Sequence, residues 1–280
     1  MSDTPIFSFE LFPPKTAEGM KKLGETVDAL NALHPAYFSV TYGAGGSTRE
    51  RTLATVDLLC EKGIVVAPHL ACIGSSSEEI RQILTRYRAQ GIRRIVALRG
   101  DLPSGMGLGD SGELHHANEL VSLIRRETGD HFHIEVAAYP EVHPQATGAE
   151  WDLTYFQGKV AAGANGAITQ YFYNADAYFD FLERCTRRGI EIPIVPGIMP
   201  ITNFTQLARF SDACGAEIPR WLRKRLEDFG DDLESLRQFG QEVVLRLCER
   251  LLQGGAPGLH FYTMNRVQPS RAIWQALDIP

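Results

Sequence analysis

Cysteine is scarce in this chain, and no two cysteines are spaced to work together. Cys60, Cys72, Cys185, Cys214 and Cys248 are odd in number and form no Cys-x-x-Cys pair. Neither a disulfide framework nor a zinc site is therefore written in the sequence, and buried packing in a reducing cytosol is their expected role. Long apolar runs are missing too: nothing approaches the roughly 18 residues of a membrane span, and residues 1–10 have neither a basic n-region nor an apolar h-region. The expectation is a soluble, cytoplasmic chain without a membrane partner. There is no basic excess, since 28 Lys and Arg stand against 34 Asp and Glu for a net charge of −6. A nucleic-acid partner, which needs clustered cations, is not expected. What is present is an ordinary globular composition over 280 residues, compatible with a small-molecule enzyme or a protein-binding module and long enough for one large barrel.

Eight short β-rich apolar runs recur, at 6–11, 37–42, 64–70, 95–98, 134–139, 167–173, 192–198 and 259–262. Between them lie stretches with helical spacing, such as 48–62, 77–90, 113–127 and 175–188, often followed by a glycine (Gly63, Gly91, Gly129, Gly189) that suits a helix C-terminus. Strand alternating with helix means parallel strands. The runs are mostly apolar rather than alternating, as in a sheet buried on both faces. The α/β class follows, as a single (β/α)8 TIM barrel over residues 1–280 with two or more extra helices before the last strand, within 203–253. An open doubly wound sheet is the alternative.

Polar residues gather where these strands end: Glu10, Thr41-Tyr42, His69, Arg99-Gly100-Asp101, Tyr139, Gln170, Gly197 to Pro200, and Asn265-Arg266. In a barrel those ends share one face, the one on which the fold builds active sites. Glu10 is a lone carboxylate among Ile6, Phe7, Phe9, Leu11 and Phe12. A carboxylate so placed either finds a cation or is driven toward its neutral acid form by desolvation, which suits a general acid. A structural ion pair with Arg99 or Lys15 is the competing reading. Asp101 is either a site carboxylate beside a permissive glycine or a turn residue paired with Arg99. His69 and His143 could contact a ring system or be satisfied structural histidines.

Gly107-Leu108-Gly109-Asp110-Ser111-Gly112 matches G-x-G-x-x-G, but Asp101 to Met106 separate it from the preceding strand, so a glycine loop is expected rather than a dinucleotide fold. Gly43-Ala44-Gly45-Gly46-Ser47-Thr48 lacks the lysine of a P-loop. It could offer backbone N–H groups to an anion or be a plain N-cap turn. His131-x-His133 and His115-His116 have no third ligand nearby in sequence, and no metal is expected.

Seven segments together resemble the 5,10-methylenetetrahydrofolate reductase family. They are Ser8-Phe9-Glu10-Leu11-Phe12-Pro13-Pro14-Lys15, Ser39-Val40-Thr41-Tyr42-Gly43-Ala44, Ala67-Pro68-His69-Leu70, Val96-Ala97-Leu98-Arg99-Gly100-Asp101, Ala138-Tyr139-Pro140-Glu141-Val142-His143-Pro144, Ala167-Ile168-Thr169-Gln170 and His260-Phe261-Tyr262-Thr263-Met264-Asn265-Arg266. Their order is also that of the family. The resemblance is to the bacterial type, a catalytic barrel without the C-terminal regulatory domain of eukaryotic members. It implies a cytoplasmic enzyme of one-carbon metabolism and methionine synthesis. Hydride would pass from NADH or NADPH to FAD and then to methylenetetrahydrofolate, with ping-pong kinetics; the family leans to NADH and forms homo-oligomers.

By the same resemblance, Glu10 is the acid that protonates folate N10, and Asp101 is the carboxylate between flavin and pterin. Thr41 and Gln170 meet the nicotinamide nucleotide; Gln170, Gln206 and Arg266 hold the folate; Phe210 is the mobile aromatic that stacks on either substrate. FAD is implied at Tyr42, Ala44, His69, Arg99, Gly100, Asp101, Ala117, Tyr139, His143, Ala146, Asp152 and Lys159. The chain departs from the family at Tyr155 and Gly158, where relatives can present Asn and Arg, so FAD could be held less tightly or by another residue such as Lys15. Other readings are a different barrel enzyme, such as an aldolase or isomerase, or a non-catalytic folate- or flavin-binding module; no strand ends in the lysine that Schiff-base chemistry needs.

Overall fold

The computed structural model describes residues 5–42, 46–100 and 113–277. The strands are β1 (Ile6–Leu11), β2 (Tyr37–Val40), β3 (Val66–Ala71), β4 (Arg94–Leu98), β5 (His133–Ala138), β6 (Gly166–Thr169), β7 (Ile194–Val195), β8 (Gly197–Ile198) and β9 (Gly258–Tyr262). The helices between them are α1 (Ala17–Asn31), α2 (Gly46–Glu61), α3 (Ser77–Ala89), α4 (Ala117–Thr128), α5 (Ala149–Ala161) and α6 (Ala175–Arg187). The surplus before the last strand holds α7 (Phe204–Cys214), α8 (Arg220–Asp228) and α9 (Leu233–Gln253), and α10 (Ser270–Ala276) follows β9. All pairings are parallel, in the order β7-β6-β5-β4-β3-β2-β1-β9-β8. This is the nearly closed (β/α)8 barrel expected from the alternation of strand and helix.

Nine segments replace the eight expected strands because the seventh is broken at Pro196. Proline has no N–H to give a ladder, so the strand turns there. Its first half pairs with β6 through Ile194 and Val195, and its second half pairs with β9 through Gly197 and Ile198. Three hydrogen bonds close the seam: His260 N donates to Pro196 O at 3.0 Å, Gly197 N to Thr169 Oγ1 at 2.9 Å, and the Tyr262 hydroxyl to Thr169 O at 2.7 Å.

The larger apolar core lies between the strands and the surrounding helices. Alternation along β1 points Phe7, Phe9 and Leu11 into it, where Phe9 stacks on Trp274 at 5.0 Å. Truncating a buried phenylalanine such as Phe9 to alanine costs about 3–5 kcal/mol. The inward positions of the same strand, Ser8 and Glu10, are polar. Tyr37, Ala67, Val96 and Ile168 form only a small apolar cluster inside the barrel. The sheet is therefore buried on both faces, as read from the sequence, but its inner face carries charge and hydroxyls.

Helix ends follow local chemistry. Ser76 caps α3 by accepting from Glu79 N at 3.2 Å, while Glu79 Oε2 accepts from Ser76 N at 2.8 Å. Gly91, just past that helix, has φ +75°, a left-handed value that glycine adopts without strain. All five cysteines are free; Cys72, Cys185 and Cys248 are buried, whereas Cys60 and Cys214 are only half-buried, so packing explains three of them.

Candidate active site at the barrel mouth

Glu10 stands on the inner face at the carboxyl end of β1, with its side chain 20% exposed. Its neighbours are two imidazoles: His69 Nε2 lies 3.4 Å and His260 Nε2 3.6 Å from Glu10 Oε2. The ion pair with Arg99 or Lys15 that the sequence allowed is not formed among the described residues. Arg99 points elsewhere, and Lys15 lines a groove of about 700 Å³ between α1 and α2, away from Glu10. His69 is buried on β3 two residues before the strand ends. Its Nε2 is within ion-pair reach of Glu10 but makes no hydrogen bond. Burial pushes the His69 imidazole below its usual range, opposed by the Glu10 carboxylate.

A second cluster forms beside β4, β5 and α5. Arg99 follows β4; its guanidinium donates to Gly100 O at 3.2 Å and to Gln145 Oε1 at 2.5 Å. Gly100 has φ +88°, and a Cβ there would meet Ala71 Cβ at 3.0 Å, so this turn needs glycine. The loop after β5 is held by Asp152, whose carboxylate accepts from His143 N at 2.9 Å. His143 Nδ1 accepts from Gln145 N at 3.0 Å, and the His143 carbonyl accepts from Ala146 N at 2.8 Å. Tyr139 meets the edge of the His143 ring at 4.5 Å. Lys159, near the end of α5, donates to Ala137 O on β5 at 2.5 Å. Burial pushes its ammonium down to about 8, with Asp152 opposing. Neither Arg99 nor Lys159 has a carboxylate in ion-pair contact among the described residues.

Thr41 and Tyr42 follow β2; Thr41 N donates to Leu11 O at 2.9 Å, which fixes the start of this loop at the rim. Gln170 follows β6, where its N donates to Ala138 O at 2.8 Å and its side-chain oxygen accepts from Tyr171 N at 3.0 Å. Ala117 opens α4. Gln206 and Phe210 sit on α7, with Gln206 N capped by Asn203 Oδ1 at 2.8 Å and Phe210 exposed. Arg266, exposed, lies four residues beyond β9. No hydrogen bond or ion pair among the described residues joins Gln206, Phe210 or Arg266 to Glu10. Ala44, Asp101 and both the 43–45 and 107–112 glycine segments lie outside the described residues. Tyr155 is exposed against the His116 ring at 6.4 Å, and nothing lies within 4 Å of a Cβ placed on Gly158.

Sequence reasoning missed the polar interior beneath Glu10. His260 is fully buried; its Nδ1 lies 2.7 Å from Ser8 Oγ and its Nε2 lies 3.3 Å from Ser39 Oγ. Tyr37 donates to Glu135 Oε2 at 2.8 Å, and Arg94 donates to Glu135 Oε1 at 2.7 Å from 4.6 Å above the Tyr37 ring. One signal was available: Ser8 and Glu10, Tyr37 and Ser39, and His260 and Tyr262 recur at every second position. No cluster of metal-ligating side chains occurs among the described residues, and no described helix is long and apolar enough to cross a membrane.

The family model described as methylenetetrahydrofolate reductase matches residues 1–278. The chain is 42% identical over 273 residues to the 5,10-methylenetetrahydrofolate reductase of Escherichia coli K12, covering 97% of this chain and 90% of that one. It is 38% identical to methylenetetrahydrofolate reductase (NADH) 1 of Zea mays, covering 98% of this chain and 48% of that one. Among solved structures, a Clostridium thermocellum protein described as binding two copies of 5-methyl-5,6,7,8-tetrahydrofolic acid shares the fold. Its TM-score is 0.69 at 18% identity, over 99% of this chain and 94% of that one. The chain belongs to the methylenetetrahydrofolate reductase family.

Proposed function

We propose that this protein, acting through its barrel, reduces 5,10-methylenetetrahydrofolate to 5-methyltetrahydrofolate. NADH or NADPH is the hydride donor and FAD the carrier, the two substrates using one mouth in turn. The observation that carries the reading is Glu10, an inward carboxylate at the rim flanked by two imidazoles. The NADH in the name of the maize relative favours that donor.

The residues beside β4, β5 and α5 fit a flavin dinucleotide. Among the described residues Arg99 and Lys159 are cations without a carboxylate in ion-pair contact, and burial draws Lys159 down to about 8, so an anionic pyrophosphate suits this pair. Tyr42, Ala44, His69, Gly100, Asp101, Ala117, Tyr139, His143, Ala146 and Asp152 complete the assignment. FAD, when bound, takes hydride from the nicotinamide nucleotide and gives it to the folate.

Glu10 gives its proton to folate N10 as the bond from N10 to the bridging carbon breaks. The bridging carbon becomes the 5-iminium cation, and added hydride makes it the methyl group. Glu10 then regains a proton from solvent. Asp101 is assigned to stabilise the cation through its negative charge. Thr41 and Gln170 are assigned to the nicotinamide nucleotide, Gln170, Gln206 and Arg266 to the folate, and Phe210 to stacking on either.

Purified protein that is colourless and does not take up added FAD would remove the flavin from this proposal. Glu10→Gln is expected to leave flavin reduction by NADH within about twofold while slowing the folate half-reaction at least ~100-fold. Stopped-flow measurement of the two half-reactions separates them. An intact folate half-reaction would take Glu10 out of the acid role.

A further inference from the structure

At Tyr155 and Gly158, where relatives can present Asn and Arg, α5 of this chain carries an aromatic ring and open space. The ring is in solvent, Tyr155 being 59% exposed. Beside it stands His116, also exposed, at the N-terminal end of α4. The two rings are parallel to within 15°, and their centroids lie 6.4 Å apart. Atoms of rings in contact meet at about 3.5–4.0 Å, so neither ring centre covers the other. Both rings keep π surface free for a third ring lying parallel to them.

The helix places this pair in line with the residues assigned to the flavin dinucleotide. Asp152, Tyr155 and Lys159 follow one another at intervals of three and four, and so share a face of α5. Asp152 fastens the loop after β5 by accepting from His143 N at 2.9 Å. Lys159, the cation assigned to the pyrophosphate, comes about one turn after Tyr155. Ala117, assigned to the same cofactor, directly follows His116. With the phosphates at Lys159, the adenosine is the part of the dinucleotide that extends past them toward the ring pair. Gly158 leaves room for it, since nothing lies within 4 Å of a Cβ placed there. Lys15 does not take over the missing cation's place, because it lines the groove between α1 and α2.

We propose that Tyr155 and His116 form an aromatic seat for the adenine ring of FAD, so that this chain holds the far end of the cofactor by stacking where relatives can use Asn and Arg. Adenine is flat and uncharged at neutral pH, with a π face on either side, and it gains more from a parallel ring than from a cation. Base-on-ring stacking also tolerates small changes of register, which suits a seat built from side chains at the surface. The seat rests on FAD being the hydride carrier, as proposed above.

Equilibrium binding of FAD and of FMN to the full chain stripped of flavin tests it, because FMN keeps the flavin ring and one phosphate but has no adenosine. The parent is expected to bind FAD at least ~10-fold more tightly than FMN. Tyr155→Ala should weaken FAD about 10-fold or more while leaving FMN within about twofold, and His116→Ala should weaken FAD in the same selective way. Tyr155→Phe, which keeps the ring, should hold FAD within about twofold of the parent. Both side chains are exposed, so the flavin-free variants should unfold in urea at the parent's midpoint. Equal loss of FAD and FMN in Tyr155→Ala, or no loss of FAD, overturns the seat. Unchanged FAD affinity with a raised KM for NADH would put a different adenine there and overturn the assignment to FAD. A parent that binds both flavins equally ends the adenine seat alone, whereas one that binds neither ends the flavin reading and the seat with it.

Discussion

Lys159 illustrates how one residue can be poised by what it lacks. Its ammonium donates to a backbone carbonyl and is pushed down to about 8 by burial. An unfolded lysine titrates near ~10.4. The depressed value means that the unfolded chain binds more protons between those limits. The stability contribution of Lys159 is therefore fully present above about 10.4 and is lost as the pH falls through 8. An anion has the reverse effect on the side chain, because it favours the charged ammonium. FAD binding slightly above pH 8 is therefore expected to take up protons at Lys159, with affinity falling as the pH rises further. Calorimetric titration in two buffers of different ionisation enthalpy measures the uptake. Lys159→Met should abolish it; equal uptake in that variant would place the titrating group elsewhere.

The difference between local and distant contacts decides which site residues the sequence could reveal. Glu10 stood out because its surroundings in sequence were apolar. The partners that matter to it did not stand out, since His260 reaches Ser8 across 252 positions and Ser39 across 221. A histidine between Leu259 and Phe261 looks like a structural residue until the register of β9 with β1 is known. For Asp152, the link to His143 spans nine positions, short enough for a loop pattern to suggest it but not to fix its geometry.

At the scale of the element, period and capping made most helices legible, while steric neighbours stayed hidden. Gly158 and Gly240 both lie inside helices, α5 and α9, and nothing in their local sequence tells them apart. Nothing lies within 4 Å of a Cβ on Gly158, whereas a Cβ on Gly240 would lie 2.7 Å from Ile201 Cβ and 2.8 Å from the Ile201 carbonyl oxygen. Gly158→Ala is thus expected to stabilise the fold by about 1 kcal/mol through helix propensity. Gly240→Ala should lose about 1–3 kcal/mol to overpacking against backbone that has little room to yield. Urea unfolding should move the two midpoints in opposite directions with similar slopes. A shift of the same sign in both would mean that the contact of α9 with Ile201 is looser than the structure describes.

For the molecule as a whole, strand count and direction followed from the alternation of apolar runs and helical stretches. Two global features did not: the break at Pro196 and the polar lumen, both of which depend on which strands become neighbours at closure. The closing seam brings β6, β8 and β9 together at Gly197, where there is no room for a side chain. A Cβ on Gly197 would stand 2.3 Å from Thr169 O, 2.6 Å from Tyr262 Cε2 and 2.7 Å from the Tyr262 hydroxyl. Those are the groups that join the seam, since Tyr262 donates to Thr169 O and Gly197 N donates to Thr169 Oγ1. Added bulk must therefore spread β6 from β9 or break both bonds. Gly197→Ala is expected to lose about 3 kcal/mol or more. Tyr262→Phe, which removes one hydrogen bond without adding volume, should lose about 1–2 kcal/mol. Combining them should recover little, because the Thr169 carbonyl remains the nearest obstacle. Urea unfolding of the three variants tests this ranking. A Gly197→Ala protein within about 0.5 kcal/mol of the parent, the range of an innocuous surface change, would mean that closure at this seam is not what limits the barrel.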